Sequence, residues 1–359
     1  MDRVASLDAL RGFDMFWIIG GDEIYKALAR ATDSGFLKAM LPQFEHTWSR
    51  FGFYDLIMPL FLFVVGAVMP FSFAKRLAKD NGKRKLYLHI VARAVILFFL
   101  GMAASGNLLD YDLSKLHIYY NALQAIAVGY FFASIIMLNM KLPLQIATTA
   151  ALLLLYWALM TFVPVPGYGA GVFTEQGNLA IYIDKLILGR FQQGVIWTYV
   201  LGSMNFVSLV MLGVFAGYIL RSGTSKRTKL LRLVAVGVTC AILGKVWNIW
   251  FPINNHLRTS SMVLFGGGLS YLLLALFYLL IDVRGFRKWA FGFIIIGMNS
   301  IAVYLAIQLF DFRLVADVFI GGLAKWLGPY TDFARWTGSV TILWLIMYWM
   351  YKKKSFIKI

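Results

Sequence analysis

The chain has 359 residues, of which 60% are hydrophobic and only 14% charged, with a formal net charge of +17. A soluble core interleaves apolar and polar residues at helical or strand period, whereas here several apolar runs approach the ~20 residues that cross ~30 Å of hydrocarbon. The composition therefore excludes a soluble globular domain and predicts an all-α polytopic membrane helix bundle. Alternating ten-residue barrel strands are missing, which leaves helices as the spanning elements.

In chain order, spans are expected near residues 9–30, 54–74, 87–105, 117–138, 143–163, 198–220, 230–250, 261–282, 289–309 and 336–352. The first carries Asp14, Asp22 and Glu23, and residues 310–335 read as an external re-entrant or interfacial segment. About ten transmembrane helices result, in a single domain over 1–359. The extreme N-terminus "MDRVASLDALRG" has acids and no apolar core, so no cleavable signal peptide is expected.

Basic residues cluster between the runs: Lys75, Arg76, Lys79, Lys83, Arg84 and Lys85; Arg221, Lys226, Arg227, Lys229 and Arg232; Arg284, Arg287 and Lys288; Lys352, Lys353, Lys354 and Lys358. Such clusters retain loops in the cytoplasm, so ten spans put all four on one side, with both termini cytoplasmic. This accounts for the positive charge without nucleic acid. The single cysteine, Cys240, allows neither an intramolecular disulfide nor a cysteine metal cluster. No GxxxxGK[ST], GxGxxG or HExxH motif occurs, so nucleotide hydrolysis, dinucleotide redox chemistry and zinc proteolysis lose their usual support, and no metal is expected.

The same topology puts His46, His117 and His256 on the outer face. Polar residues in the outer half of the spans include Asp22, Asp55, Asn121, Gln124, Asn205, Asn299 and Gln308. For a single Asn or Gln the commoner explanation is a bridge between helices. For an ionisable group such as Asp22 or Asp55, function is the default. Residues 44–66, "FEHTWSRFGFYDLIMPLFLFVVG", concentrate these groups at the mouth of one apolar run. His46 there could be a general base or nucleophile, a pH gate, or an interfacial hydrogen-bonding residue; a carboxylate on one ring nitrogen would favour the first. Asp55, nine residues later, and the adjacent Glu45 are both candidates. The triplet Gly266–Gly268 is read as close helix packing.

The order of motifs resembles the heparan-α-glucosaminide N-acetyltransferase family of transmembrane acyltransferases. The matching stretches are "RVASLDALRG" at the N-terminus, "EHTW" followed by "YDLIMPLFLFVVG", "FVPVPGYG" at 162–169, "YIDKLILG" at 182–189, "LGSMN" at 201–205, "FPIN" at 251–254, "GMNSIAVY" at 297–304 and the lysine-rich tail. The resemblance implies an enzyme that takes acetyl-CoA from the cytoplasmic side and acetylates an amino sugar or glycan across the membrane. It makes His46 the catalytic residue; Asp55 is its expected orienter, and Asn299 or Asn254 could donate to the oxyanion. Arg3, Arg11, Asn254 and Gln124 are candidates for the CoA contacts, and Asp22, Trp48, Asn121 and His256 for the acceptor. Ala125, Asn255 and Arg258 depart from the family pattern. A bacterial cytoplasmic membrane and a homodimer would fit, with membrane lipid as the surroundings. The alternative reading is a transporter for a small polar solute in which His46 senses protons.

Overall fold

A computed structural model describes residues 4–48, 50–78, 82–192, 194 and 198–355. Arg3, Lys79 and Lys358 lie outside the described residues. The chain is 77% helical, and among the described residues there is no strand beyond an isolated bridge between Val165 and Gly169. In chain order the helices are α1 (Ala5–Phe16), α2 (Asp22–Ala31), α3 (Gly35–Met40), α4 (Ile57–Leu77), α5 (Gly82–Ser105), α6 (Ala122–Asn139), α7 (Leu142–Phe162), α8 (Leu179–Leu188), α9 (Ser203–Arg221), α10 (Lys226–Trp247), α11 (Ser260–Tyr278), α12 (Phe291–Met298), α13 (Ser300–Leu309), α14 (Phe312–Ile320), α15 (Ala324–Leu327) and α16 (Thr331–Lys352).

Seven of them, with their one-turn extensions, are long and apolar enough to cross a membrane: Tyr54–Leu77, Gly82–Ser105, Ala122–Asn139, Leu142–Phe162, Ser203–Arg221, Lys226–Trp247 and Ser260–Val283. The pair α12 and α13, bent by 75°, makes an eighth if counted as one span. The protein is thus an all-α polytopic bundle. The first and last of the ten expected spans are helical but less apolar. The first is interrupted by a π-helical turn at Trp17–Gly21, where Gly20 takes φ 125°, a conformation that a side chain would strain. The last falls within α16, which starts five residues earlier at Thr331 and carries several tryptophans and tyrosines as well as Asp332 and Arg335.

Helix ends explain where other boundaries moved. The expected span from 117 starts helically only at Ala122, because Asn121 and Gln124 form a capping box that stops the chain there. Pro143 in the first turn opens α7, while Asn178 and Ser225 cap α8 and α10 by accepting from backbone amides three residues on.

The chain divides into two compact units. The first takes the described residues of Met1–Thr47, Phe51–Ile57 and Leu276–Lys358; the second takes those of Trp48–Arg50 and Met58–Ala275. In the second unit α9 and the Met58–Leu77 part of α4 are interior, the apolar window of each span being 72% buried, while α5, α7 and α10 are only 28%, 22% and 22% buried and turn their aliphatic faces outward, as lipid requires. Packing of α4 on α9 is backbone to backbone. A Cβ at Gly66 would lie 1.9 Å from the Val210 carbonyl oxygen, and one at Gly213 would lie 1.9 Å from that of Phe63. Of the Gly266–Gly268 triplet, Gly268 packs the same way, leaving only 2.5 Å between an added Cβ and the Ala241 nitrogen, whereas Gly266 and Gly267 face the side chains of Pro59 and Leu212.

Candidate functional site

In the first unit, a short loop closes on itself between the 3-10 turns Leu41–Phe44 and Tyr54–Leu56. Phe53 N donates to Gln43 Oε1 at 3.1 Å, and Gly52 N donates to Asp55 Oδ2 at 2.8 Å. The closure leaves Asp55 Oδ1 to meet His46 Nδ1 at 2.6 Å. The Asp55 side chain is fully buried, whereas that of His46 is 46% exposed. Of the two carboxylates near His46 in sequence, Asp55 is therefore the partner, and Glu45 points to solvent. An aromatic shell holds the loop: Tyr25 stacks on Phe44 at 4.4 Å, and Phe53 meets Trp17 at 5.0 Å.

The His46 ring lies 5.0 Å from that of Tyr54, whose other neighbours are charged. Lys26 Nζ is 5.6 Å from the Tyr54 ring and 2.8 Å from both Asp22 Oδ2 and Glu23 Oε1. Asp22, Glu23 and Tyr54 line a cavity of about 580 Å³ whose far wall is formed by residues 307–313 with Trp336 and Ser339. Asp14, wholly buried on α1, finds no hydrogen-bond partner for either oxygen among the described residues. Asn299 occupies the break between α12 and α13 and is 2% exposed. Arg11 makes a long ion pair with Asp8 at 3.6 Å.

The second unit gathers another set. Trp48 stacks on His256 with ring centres 5.1 Å apart, and its Nε1 donates to Phe173 O at 2.9 Å. Asn254 is the strut beneath: its Nδ2 donates to Trp48 O at 2.9 Å, and its Oδ1 accepts from Leu257 N at 2.8 Å. Arg258, at φ 51°, donates to Asn255, so the two family-departing residues are partners in one buried turn. Gln124 has its carbonyl oxygen on the amides of Tyr120 and Asn121 at 2.8 Å each, while its amide donates to Ile118 O. Asn121 serves the same cap and also donates to Ser105 Oγ at 2.6 Å. Asn121, Gln124 and Asn254 therefore carry structural bonds that a ligand would have to share or replace.

Sequence reasoning passed over Asp184, which lies within the quoted "YIDKLILG". It is fully buried, accepts from Val200 N at 2.9 Å through Oδ1, and has no hydrogen-bond partner on Oδ2 among the described residues. Burial pushes its carboxyl up to about 7. The sequence signal was an acid beside Lys185 in a short, mostly apolar stretch.

Comparison with known proteins adds a relationship. Residues 3–169 match a family described as a domain of unknown function, DUF5009. Heparan-alpha-glucosaminide N-acetyltransferase of Mus musculus is 25% identical over 385 residues, covering 88% of this chain and 56% of the relative. The Homo sapiens protein of the same name is 27% identical over 378 residues, with the same coverage. The chain is a distant relative of these proteins. It spans about half the length of each. Chemically, a solvent-reaching imidazole whose one ring nitrogen is held by a buried carboxylate has its other nitrogen open to act as a base or nucleophile.

Proposed function

We propose that this chain is a membrane acetyltransferase that moves an acetyl group from acetyl-CoA, supplied on the cytoplasmic side, to an amino sugar or glycan on the outer face. The observation that carries the reading is the His46 and Asp55 pair at 2.6 Å, in a chain distantly related to named N-acetyltransferases. Asp55 takes Nδ1, so Nε2 is the nitrogen that receives a proton from the attacking amine. The amine nitrogen bonds to the thioester carbon, the carbon–sulfur bond breaks, and the leaving thiolate takes the proton from the imidazolium.

Asn299, an uncharged donor at a helix break, suits the oxyanion that forms on the carbonyl. Arg11, 24% exposed on its side chain, suits a CoA phosphate. The positive-inside distribution of the basic clusters supports the sidedness.

The test is acetyl transfer from labelled acetyl-CoA to glucosamine and a panel of amino sugars by the protein in liposomes, with wild type and His46→Ala side by side. Transfer by wild type that is lost in the variant supports the reading. No transfer by wild type to any acceptor, with no binding of CoA, overturns it.

A further inference from the structure

The outward surface of α5 and α6 in the second unit is indented. The two helices pack together, and the start of α5 meets the end of α6 where Tyr87 Oη donates to Asn139 Oδ1 at 2.9 Å. Asn139 is itself held in place, because its Nδ2 donates to Ile135 O at 2.8 Å. Deeper along the pair lies an apolar groove of about 320 Å³. Val91, Ala94, Val95 and Phe98 form its α5 side, at the i, i+3, i+4, i+7 spacing of one helix face. Its α6 side includes Val128, Phe131 and Phe132.

The same face of α5 continues back through Tyr87 to Arg84, four and seven residues before Val91. Lys83 precedes Arg84, and Lys141 follows the end of α6, so three exposed cations stand at one end of an apolar groove. α5, α6 and α7 contain no aspartate or glutamate, so none of these helices supplies a neutralising charge. The dimensions match one leaflet. At about 1.5 Å per residue, Val91 lies about 10 Å and Phe98 about 21 Å along the helix from Arg84, and half of a bilayer with its headgroups is about 20–22 Å. A phosphate at Arg84 therefore has its acyl chain at the depth of the groove. A soluble anion would use the cations alone, and a neutral lipid the groove alone; an anionic phospholipid uses both.

We infer that this groove is a binding site for an anionic phospholipid of the leaflet that the basic clusters face, with its phosphodiester held by Arg84, Lys83 and Lys141 and one acyl chain lying between α5 and α6. Neither His46 nor Asp55 contributes to the site, so the inference stands independently of the acetyltransferase reading.

The experiment is native mass spectrometry of the detergent-purified protein, titrated with phosphatidylglycerol or with phosphatidylcholine of the same chains. Wild type is compared with Arg84→Gln, with Arg84→Gln combined with Lys141→Gln, and with Ala94→Phe, which fills the groove; thermal melting checks folding. Wild type is expected to prefer phosphatidylglycerol. At about 1 kcal/mol for each basic residue near an anionic headgroup, Arg84→Gln is expected to weaken phosphatidylglycerol about 5-fold and the double variant about 30-fold, with phosphatidylcholine unaltered. Ala94→Phe is expected to weaken both lipids. Equal affinity of wild type for the two lipids, or a preference that survives in the folded double variant, overturns the site. Displacement of bound phosphatidylglycerol by inorganic phosphate overturns it in favour of a free-phosphate site. Loss of a dimer instead of lipid in Ala94→Phe overturns it in favour of an interface between copies of the chain.

Discussion

His46 Nδ1 meets Asp55 Oδ1 at 2.6 Å, and the second carboxylate oxygen of Asp55 is fixed by the amide of Gly52 at 2.8 Å. Both oxygens are thus committed to orienting one imidazole. Asp55→Asn keeps the shape but puts an amide N–H against either the Gly52 amide or the Nδ1 proton. The expected outcome is a fall in kcat of about 10²–10⁴-fold with the protein still folded, measured by labelled acetyl transfer and by melting. Retention of full activity would show that the carboxylate is only structural.

Sidedness can be read with one substitution. Thr47 follows His46 directly, and the native thiol of Cys240 is buried. In intact cells Thr47→Cys is expected to react with an impermeant maleimide added outside. Labelling that requires lysis would invert the topology and move the acceptor to the other face.

Asp184 makes stability depend on pH. Its folded-state value of about 7 lies above the ordinary 3.8 because burial disfavours the charge. Below about pH 4 the carboxyl is neutral in both folded and unfolded chains and costs nothing. As pH rises toward 7 the unfolded chain ionises first, so folding stability falls across that window and stays lowered above it. Asp184→Asn, neutral throughout, is expected to flatten this dependence: its melting temperature should exceed wild type at pH 8 by several degrees, and the gap should close near pH 4. A wild-type melting curve insensitive to pH from 4 to 8 would contradict the assignment.

The seam between α4 and α9 tolerates no side chain, since an added Cβ at Gly66 falls 1.9 Å from a backbone oxygen. Gly66→Ala forces the helices apart and should cost about 1–3 kcal/mol or prevent folding. Gly223→Ala, at an open position where a Cβ meets nothing, is the control expected to melt like wild type. Equal melting of the two variants would show that the seam yields.

Much of this was legible in the sequence because lipid imposes simple rules. Apolar runs located the central helices of the second unit, and basic clusters located their ends. A spacing of nine residues sufficed to consider Asp55 as the partner of His46. What remained hidden depends on tertiary approach or backbone geometry. The stacking of Trp48 on His256 joins residues over two hundred positions apart, and the far wall of the cavity beside Tyr54 comes from residues 307–313 and 336, far along the chain from Asp22. Asn121 and Gln124 stand three apart, and that spacing alone could not tell a helix cap from a ligand-binding pair. The first span read as continuous because Gly20–Gly21 looks like ordinary small-residue packing until the torsion at Gly20 is known.

That kink sets where the charges of α2 fall. Gly20, at φ 125°, lies outside helical torsions, so α2 is no straight continuation of α1 and its helical register starts afresh at Asp22. A side chain at position 20 would stand 3.1 Å from the Trp336 ring and 3.2 Å from Val340, in a torsion that L residues rarely adopt. The direction in which α2 presents Asp22, Glu23 and Lys26 is therefore encoded in an upstream glycine as well as in the charged residues themselves.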